Sequence, residues 1–206
     1  MSVLALASAP EELFTGCAGT LARWEHGGRE VFVAFPGASE SELEAAREAA
    51  GAVGAQLLET DSSIGRAVDE RSVRDAVMDH VRRAKAEVLL TGAGTEDALS
   101  DVLFNAAFCA TVPNYPSPEG VEAIRMRAPI RYFESPRSRD FAPTEYVDIS
   151  EQWDVKRAAA ALFGEQAVQM AETLSRARGI QGQVEFAEAF ASEVVWGRIS
   201  PTRQLP

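Results

Sequence analysis

Two adjacent carboxylates, Glu11 and Glu12, follow Pro10 in the stretch SAPEELFTGCAGTLAR, Ser8 to Arg23. Such a pair at a strand-to-helix turn can act as general acid and base or hold a hard cation. A second acidic group lies in TGAGTEDALSD, Thr91 to Asp101, which supplies Glu96, Asp97 and Asp101. If both stretches face one pocket, Glu11 and Glu12 are the candidate catalytic groups, Asp101 is their partner across it, and Glu96 and Asp97 are candidate substrate contacts. The plainer reading is that Glu11 and Glu12 complement the dipole of the helix they open, while Ser100 and Asp101 are caps or surface residues. Arg125, Arg127, Arg131, Arg137 and Arg139 form a basic tract in a chain of net charge -11. Arg137 and Arg139, in the loop ESPRSRDFAP, are candidate contacts for a ligand carboxylate or phosphate, against the alternative of solvated arginines on loops and strand edges.

Other chemistries find little material. The two histidines, His26 in EHGG and His80 in VMDHVRRAK, belong to segments remote from those loops, the first as a helix-end cation and the second expected to be solvated. No Ser-His-Asp or Cys-His set can be assembled from them. Gly92 and Gly94 follow a strand but lack the third glycine of a dinucleotide loop. Cys17 and Cys109 are too few for a disulfide framework or a four-cysteine zinc site and read as buried thiols.

The elements that must position these residues alternate. Val3–Ala7, Glu30–Phe35, Gln56–Thr60 and Glu87–Thr91 read as strands, and 11–24, 39–53, 68–85 and 97–110 as helices, which predicts a Rossmann-like α/β fold with a parallel sheet covered on both faces. In such sheets ligands bind outside the carboxyl ends of the strands, where both acidic loops would lie. After Pro113 the texture changes. The runs 121–126 and 130–134 predict a hairpin or paired edge strands, EYVDIS a further strand, 151–178 one long helix, and VEFAEAFASEVVWGR a closing helix with aromatic positions on one face. The whole of 1–206 is expected to be one domain, a Rossmann-like core to residue 112 and a C-terminal β/α cap from 113.

The 206 residues carry ordinary globular proportions, 46% hydrophobic and 25% charged, and no apolar run long enough to cross a bilayer. The opening MSVLALASA has no basic n-region and reads as a buried strand. A cytoplasmic protein is expected. The acidic balance opposes wide contact with nucleic acid or anionic membrane and leaves a small molecule or another protein as partner.

Taken together these stretches resemble the PIG-L/LmbE family of zinc-dependent N-deacetylases and amidases. The frame His-Pro-Asp-Asp-Glu followed by a GCGGTLA-like helix start is matched by Ala9-Pro10-Glu11-Glu12-Leu13 and Gly16 to Ala22. GGREVFVAF, VDIS with Lys156, Gln166 and FAEAF at 186–190 resemble the family in the same order. The resemblance implies zinc ligands at Ala9, Glu12 and the Asp101 region, and a general base at Glu11. Ala9 supplies no imidazole, Ala98-Leu99-Ser100-Asp101 no histidine, and these substitutions should weaken zinc binding by orders of magnitude. Expected cofactors are therefore none, with Mg²⁺ or Mn²⁺ left open through Glu11, Glu12 and Asp101.

Three functions follow from this reading. The first is a divergent enzyme acting on a small polar, sugar- or amine-containing metabolite without the zinc site. The second is a catalytically inactive pseudoenzyme serving as a binding or interaction module. The third is a deacetylase or amidase with an altered metal site. The resemblance also implies a homo-oligomer, and the pseudoenzyme reading allows assembly with an active paralogue.

Overall fold

The structure, a computed structural model, describes residues 1–59, 70–93, 98–117 and 120–192, with positions 98, 100 and 101 described by their backbone alone. Strands β1 (Ser2–Leu6), β2 (Glu30–Ala34), β3 (Gln56–Leu57), β4 (Val88–Gly92), β5 (Ile130–Phe133), β6 (Glu145–Asp148) and β7 (Ala187–Ser192) form one sheet in the order β3-β2-β1-β4-β5-β7-β6. The first five pair in parallel, and β7 runs antiparallel to both β5 and β6. The helices are α1 (Pro10–His26), α2 (Glu40–Ala52), α3 (Glu70–Arg83), α4 (Ala98–Cys109), α5 (Trp153–Ala161) and α6 (Glu165–Gly182).

Every residue of β1 is buried, so its continuous apolar run divides between two faces with a period of two. Val3 and Ala5 pack with Leu13, Phe14 and Cys17 of α1 and with the alanines of α2. Leu4 and Leu6 pack with Val77 and Met78 of α3 and Leu103 of α4. One sheet between two helical layers is the architecture that the alternation implies, and β1 paired with both β2 and β4 sets the loop carrying Glu11 at the centre of the sheet's carboxyl edge.

Glycine governs how closely α1 approaches the sheet. A Cβ on Gly16 would stand 2.6 Å from Cδ2 of Phe133 and 2.8 Å from the carbonyl oxygen of Glu134, and one on Gly19 would stand 2.8 Å from Cδ1 of Ile149. We expect Gly16→Ala to lower stability by about 1–3 kcal/mol through overpacking against backbone that cannot yield, read as a lower urea midpoint at unchanged m-value. An unchanged midpoint would show that α1 can withdraw from β5 at no cost.

Three expectations for the later chain are corrected. The run 121–126 forms no strand; its Ile124 amide donates to the Ala110 carbonyl at the end of α4, and β5 pairs instead with β4 and β7. The long helix is a 3₁₀ turn (Ser150–Gln152) followed by α5 and α6, separated at Gly164, whose φ of 101° a residue with a side chain adopts only under strain. Residues 187–192, expected to be helical, form β7, because the slot between β5 and β6 satisfies their backbone and overrides the helix propensity of Ala and Glu. Trp196 lies outside the described residues.

Candidate functional site

Helix α1 begins where β1 ends. Ala9 is extended at its N-cap, Pro10 occupies the first turn, and the Glu12 amide donates to the Ala9 carbonyl at 3.2 Å. This turn separates the two carboxylates. Glu11 is exposed, whereas Glu12 is 5% exposed. The Thr15 hydroxyl donates back to the carbonyls of Glu11, at 2.7 Å, and Glu12, at 3.1 Å, which fixes the turn that carries them.

Glu11 faces a cleft of about 270 Å³ bounded also by Ala9, Ser41, Glu42, Arg137 and Phe163. The loop bearing Arg137 is anchored to the end of β4, since the Ser138 hydroxyl donates to the Ala93 carbonyl at 2.7 Å and accepts from the Ser135 amide at 2.9 Å. Glu42 is already engaged: Oε2 accepts from the Ser39 hydroxyl at 2.6 Å and from its amide at 2.8 Å. Those bonds hold its carboxyl below the usual range. Glu11 and Arg137 carry opposite charges on the same cleft, yet among the described residues their side chains form no ion pair or hydrogen bond.

Of the other candidates, Arg139 is exposed and does not line the cleft. Glu96 and Asp97 lie outside the described residues, and Asp101 is placed only by its backbone in the first turn of α4. Sequence reasoning missed Ser41, Glu42 and Phe163. The Ser39-x-x-Glu42 capping signature was a signal for the helix start that brings the first two here.

Two more charged groups were unexpected. Lys156 and Glu188 form an ion pair of 2.7 Å with both side chains 1% exposed. Glu188 Oε1 also accepts from the Gly19 amide at 2.9 Å and Oε2 from the Thr20 amide at 2.7 Å, while Lys156 Nζ donates to the Gly16 carbonyl at 3.4 Å. The pair therefore grips the middle of α1, about one and a half to two and a half turns below the cleft. Cys17 lies beside it, and burial, reinforced by the Glu188 charge, pushes its thiol well up, which keeps it protonated and unreactive. Cys109 is only half-buried, a correction to the expectation of two buried thiols. His80 is 1% exposed rather than solvated, and burial followed by the Arg83 charge lowers it to about 4. His26 stands exposed in the last turn of α1.

No family model matches the chain, and no curated protein matches it in sequence. Solved structures do. The 4-carboxy-2-hydroxymuconate hydratase GalB from Pseudomonas putida superposes with a TM-score of 0.75 at 19% identity, covering 99% of this chain and 100% of that one. A conserved protein from Thermus thermophilus gives 0.76 at 22% identity over 99% and 100%. The N,N'-diacetylchitobiose deacetylase from Pyrococcus horikoshii gives 0.71 at 16% identity over 93% and 83%. The chain shares the fold of these proteins, in keeping with the PIG-L/LmbE resemblance of its sequence. Among those relatives the fold carries both a hydratase and a deacetylase, so it does not by itself select a reaction.

The PIG-L/LmbE frame implies zinc, and the donor set tests the fit. Ala9 ends in a methyl group, Glu12 is buried behind the cleft, and no three His, Cys, Asp or Glu side chains among the described residues are grouped to hold a metal ion. Among the described side chains, these donors do not make up a zinc site; those of Glu96, Asp97 and Asp101 lie outside them. No described helix is long and apolar enough to cross a membrane.

Proposed function

We propose that the cleft at the carboxyl edge of the sheet takes a small polar metabolite bearing an amine or sugar hydroxyls, and acts on it without zinc. The observation that carries this reading is the juxtaposition of Glu11 and Arg137 on one cleft, with neither side chain bonded to another among the described residues. A ligand amine or hydroxyl suits the Glu11 carboxylate, a ligand carbonyl or anionic oxygen suits the Arg137 guanidinium, and Phe163 supplies an apolar wall. Glu11 is then the acid or base at the reacting atom. The deacetylases and the hydratase that share this fold make acyl and water chemistry the classes to assay first.

The pseudoenzyme reading keeps one specific support: Glu12 is buried, so only one carboxylate of the pair reaches the cleft. A screen of amino sugars, their N-acetyl derivatives and small unsaturated acids, scored for binding and for turnover, separates the two. For any ligand found, we expect Glu11→Gln and Arg137→Ala each to weaken binding or turnover by about tenfold. Ligands that bind unchanged to both variants would move the site elsewhere, and binding with no turnover would leave the module reading standing.

A further inference from the structure

At the opposite end of the sheet lies a second cavity, of about 310 Å³, between the last turn of α1 and strands β5, β7 and β6. Its walls combine Arg23, Arg29 and Arg131 with Trp24 and Phe190. Helix α1 spans roughly 25 Å from the Glu11 turn to this end, at about 1.5 Å per residue, so the two sites share a helix but no residue.

The charges in this cavity are unequally engaged. Asp148 is turned to Ser150, whose amide and hydroxyl donate to Oδ1 at 2.9 and 2.6 Å. Glu145 Oε1 accepts from the Ser192 hydroxyl at 2.7 Å, and Oε2 stands 3.5 Å from Nε of Arg131. Arg23 donates to the Asp148 carbonyl at 2.6 Å. Arg131, with its side chain 18% exposed, meets only Glu145 among the described residues, and only through Nε; its two terminal nitrogens, the edge that forks onto a carboxylate, make no bond to the protein there. The Arg29 guanidinium lies 5.2 Å from the Trp24 ring centre and has no described acid partner. Three guanidinium side chains against two carboxylates leave the wall side chains one positive charge in excess, and the Met1 ammonium, also at the wall, is paired with Glu87 at 3.7 Å.

We propose that this cavity binds a small monocarboxylate with an apolar or aromatic body, its carboxylate forked by Arg131 and faced by Arg29, its body against Trp24 and Phe190. A largely buried guanidinium with its planar edge uncommitted favours a planar carboxylate, and the single excess charge favours a monoanion over a phosphate dianion. The aromatic walls supply the area on which an apolar body gains affinity.

Titration of the full-length protein with benzoate and, separately, with inorganic phosphate, followed calorimetrically, tests this. We expect saturable one-to-one binding of benzoate, weaker phosphate binding, and about a tenfold loss of benzoate affinity in Arg131→Lys, which keeps the charge beside Glu145 but not the fork. Arg29→Ala, which removes a half-buried side chain with no described acid partner, should show a comparable loss and serves if Arg131→Lys does not fold. Glu11→Gln should leave benzoate binding intact, which separates this site from the cleft. Absence of saturable benzoate binding, undiminished binding in the arginine variants, or phosphate binding more tightly than benzoate would each overturn the proposal.

Discussion

Lys156→Met should lower stability by about 3–5 kcal/mol, because it leaves the Glu188 carboxylate in the interior without its counter-charge. Two backbone amides of α1 would still donate to Glu188, but dipoles do not replace a cation bonded at 2.7 Å in a region where both side chains are 1% exposed. A urea titration reads the loss as a lowered midpoint. The double variant Lys156→Met, Glu188→Gln should recover a large part of it, since the amide carbonyl still accepts from α1 and no bare charge remains. A single-variant loss below about 1 kcal/mol would show that water or a displaced side chain reaches Glu188, contrary to the burial described here. The pair also bears on the cleft, because it fixes the body of the helix whose first turn presents Glu11.

This pair explains why some segments were legible in the sequence as a pattern before their role was. VDIS with its following lysine and FAEAF resemble a family frame, and the structure shows them meeting over α1 as Lys156 and Glu188. Charged residues spaced thirty-two apart on a helix and a strand carry no local signal of contact, since only the tertiary pairing of β7 with β5 and β6 brings them together. The first half of the chain was readable because its strands are apolar runs and its helices amphipathic, periods that burial imposes directly. The second half misled where two patterns coincide. AEAFAS alternates with a period of two as readily as it fits a helix, and a buried Glu on the α1 face would be counted as surface by any polarity argument. For the cleft, Glu11 and Arg137 came from residue type and loop position. The separation of Glu11 from Glu12 did not, because which of two adjacent carboxylates turns inward depends on the helix phase set at Ala9 and Pro10.

Helix α3 gives the other large effect. Its His80 was expected in solvent because charges flank it, yet Asp79 and Arg82 are buried as well, each with a specific partner. Asp79 Oδ1 accepts from the Ser117 hydroxyl at 2.6 Å. The Arg82 guanidinium donates to the carbonyls of Cys109, Ala110, Val112, Tyr115 and Val121, gathering the irregular chain after α4 onto α3. His80 shares this buried face, where desolvation and the nearby Arg83 charge lower it from 6.5 to about 4. Its ionised form is thus more accessible in the unfolded chain than in the fold. Above about pH 6.5 His80 is neutral in both states and its full contribution is present. As pH falls, the unfolded chain takes up a proton that the native state refuses, and stability falls by up to about 1.4 kcal/mol per pH unit until the folded group titrates near pH 4. The accumulated loss is roughly 3 kcal/mol at its limit. Urea midpoints at pH 7 and pH 4 measure it against His80→Gln, a side chain that keeps hydrogen-bonding capacity and does not titrate. The wild type should lose more stability than the variant across that interval by about 2–3 kcal/mol. Parallel losses in the two proteins would mean that the native state accommodates the imidazolium, and that the buried face of α3 opens before the molecule unfolds.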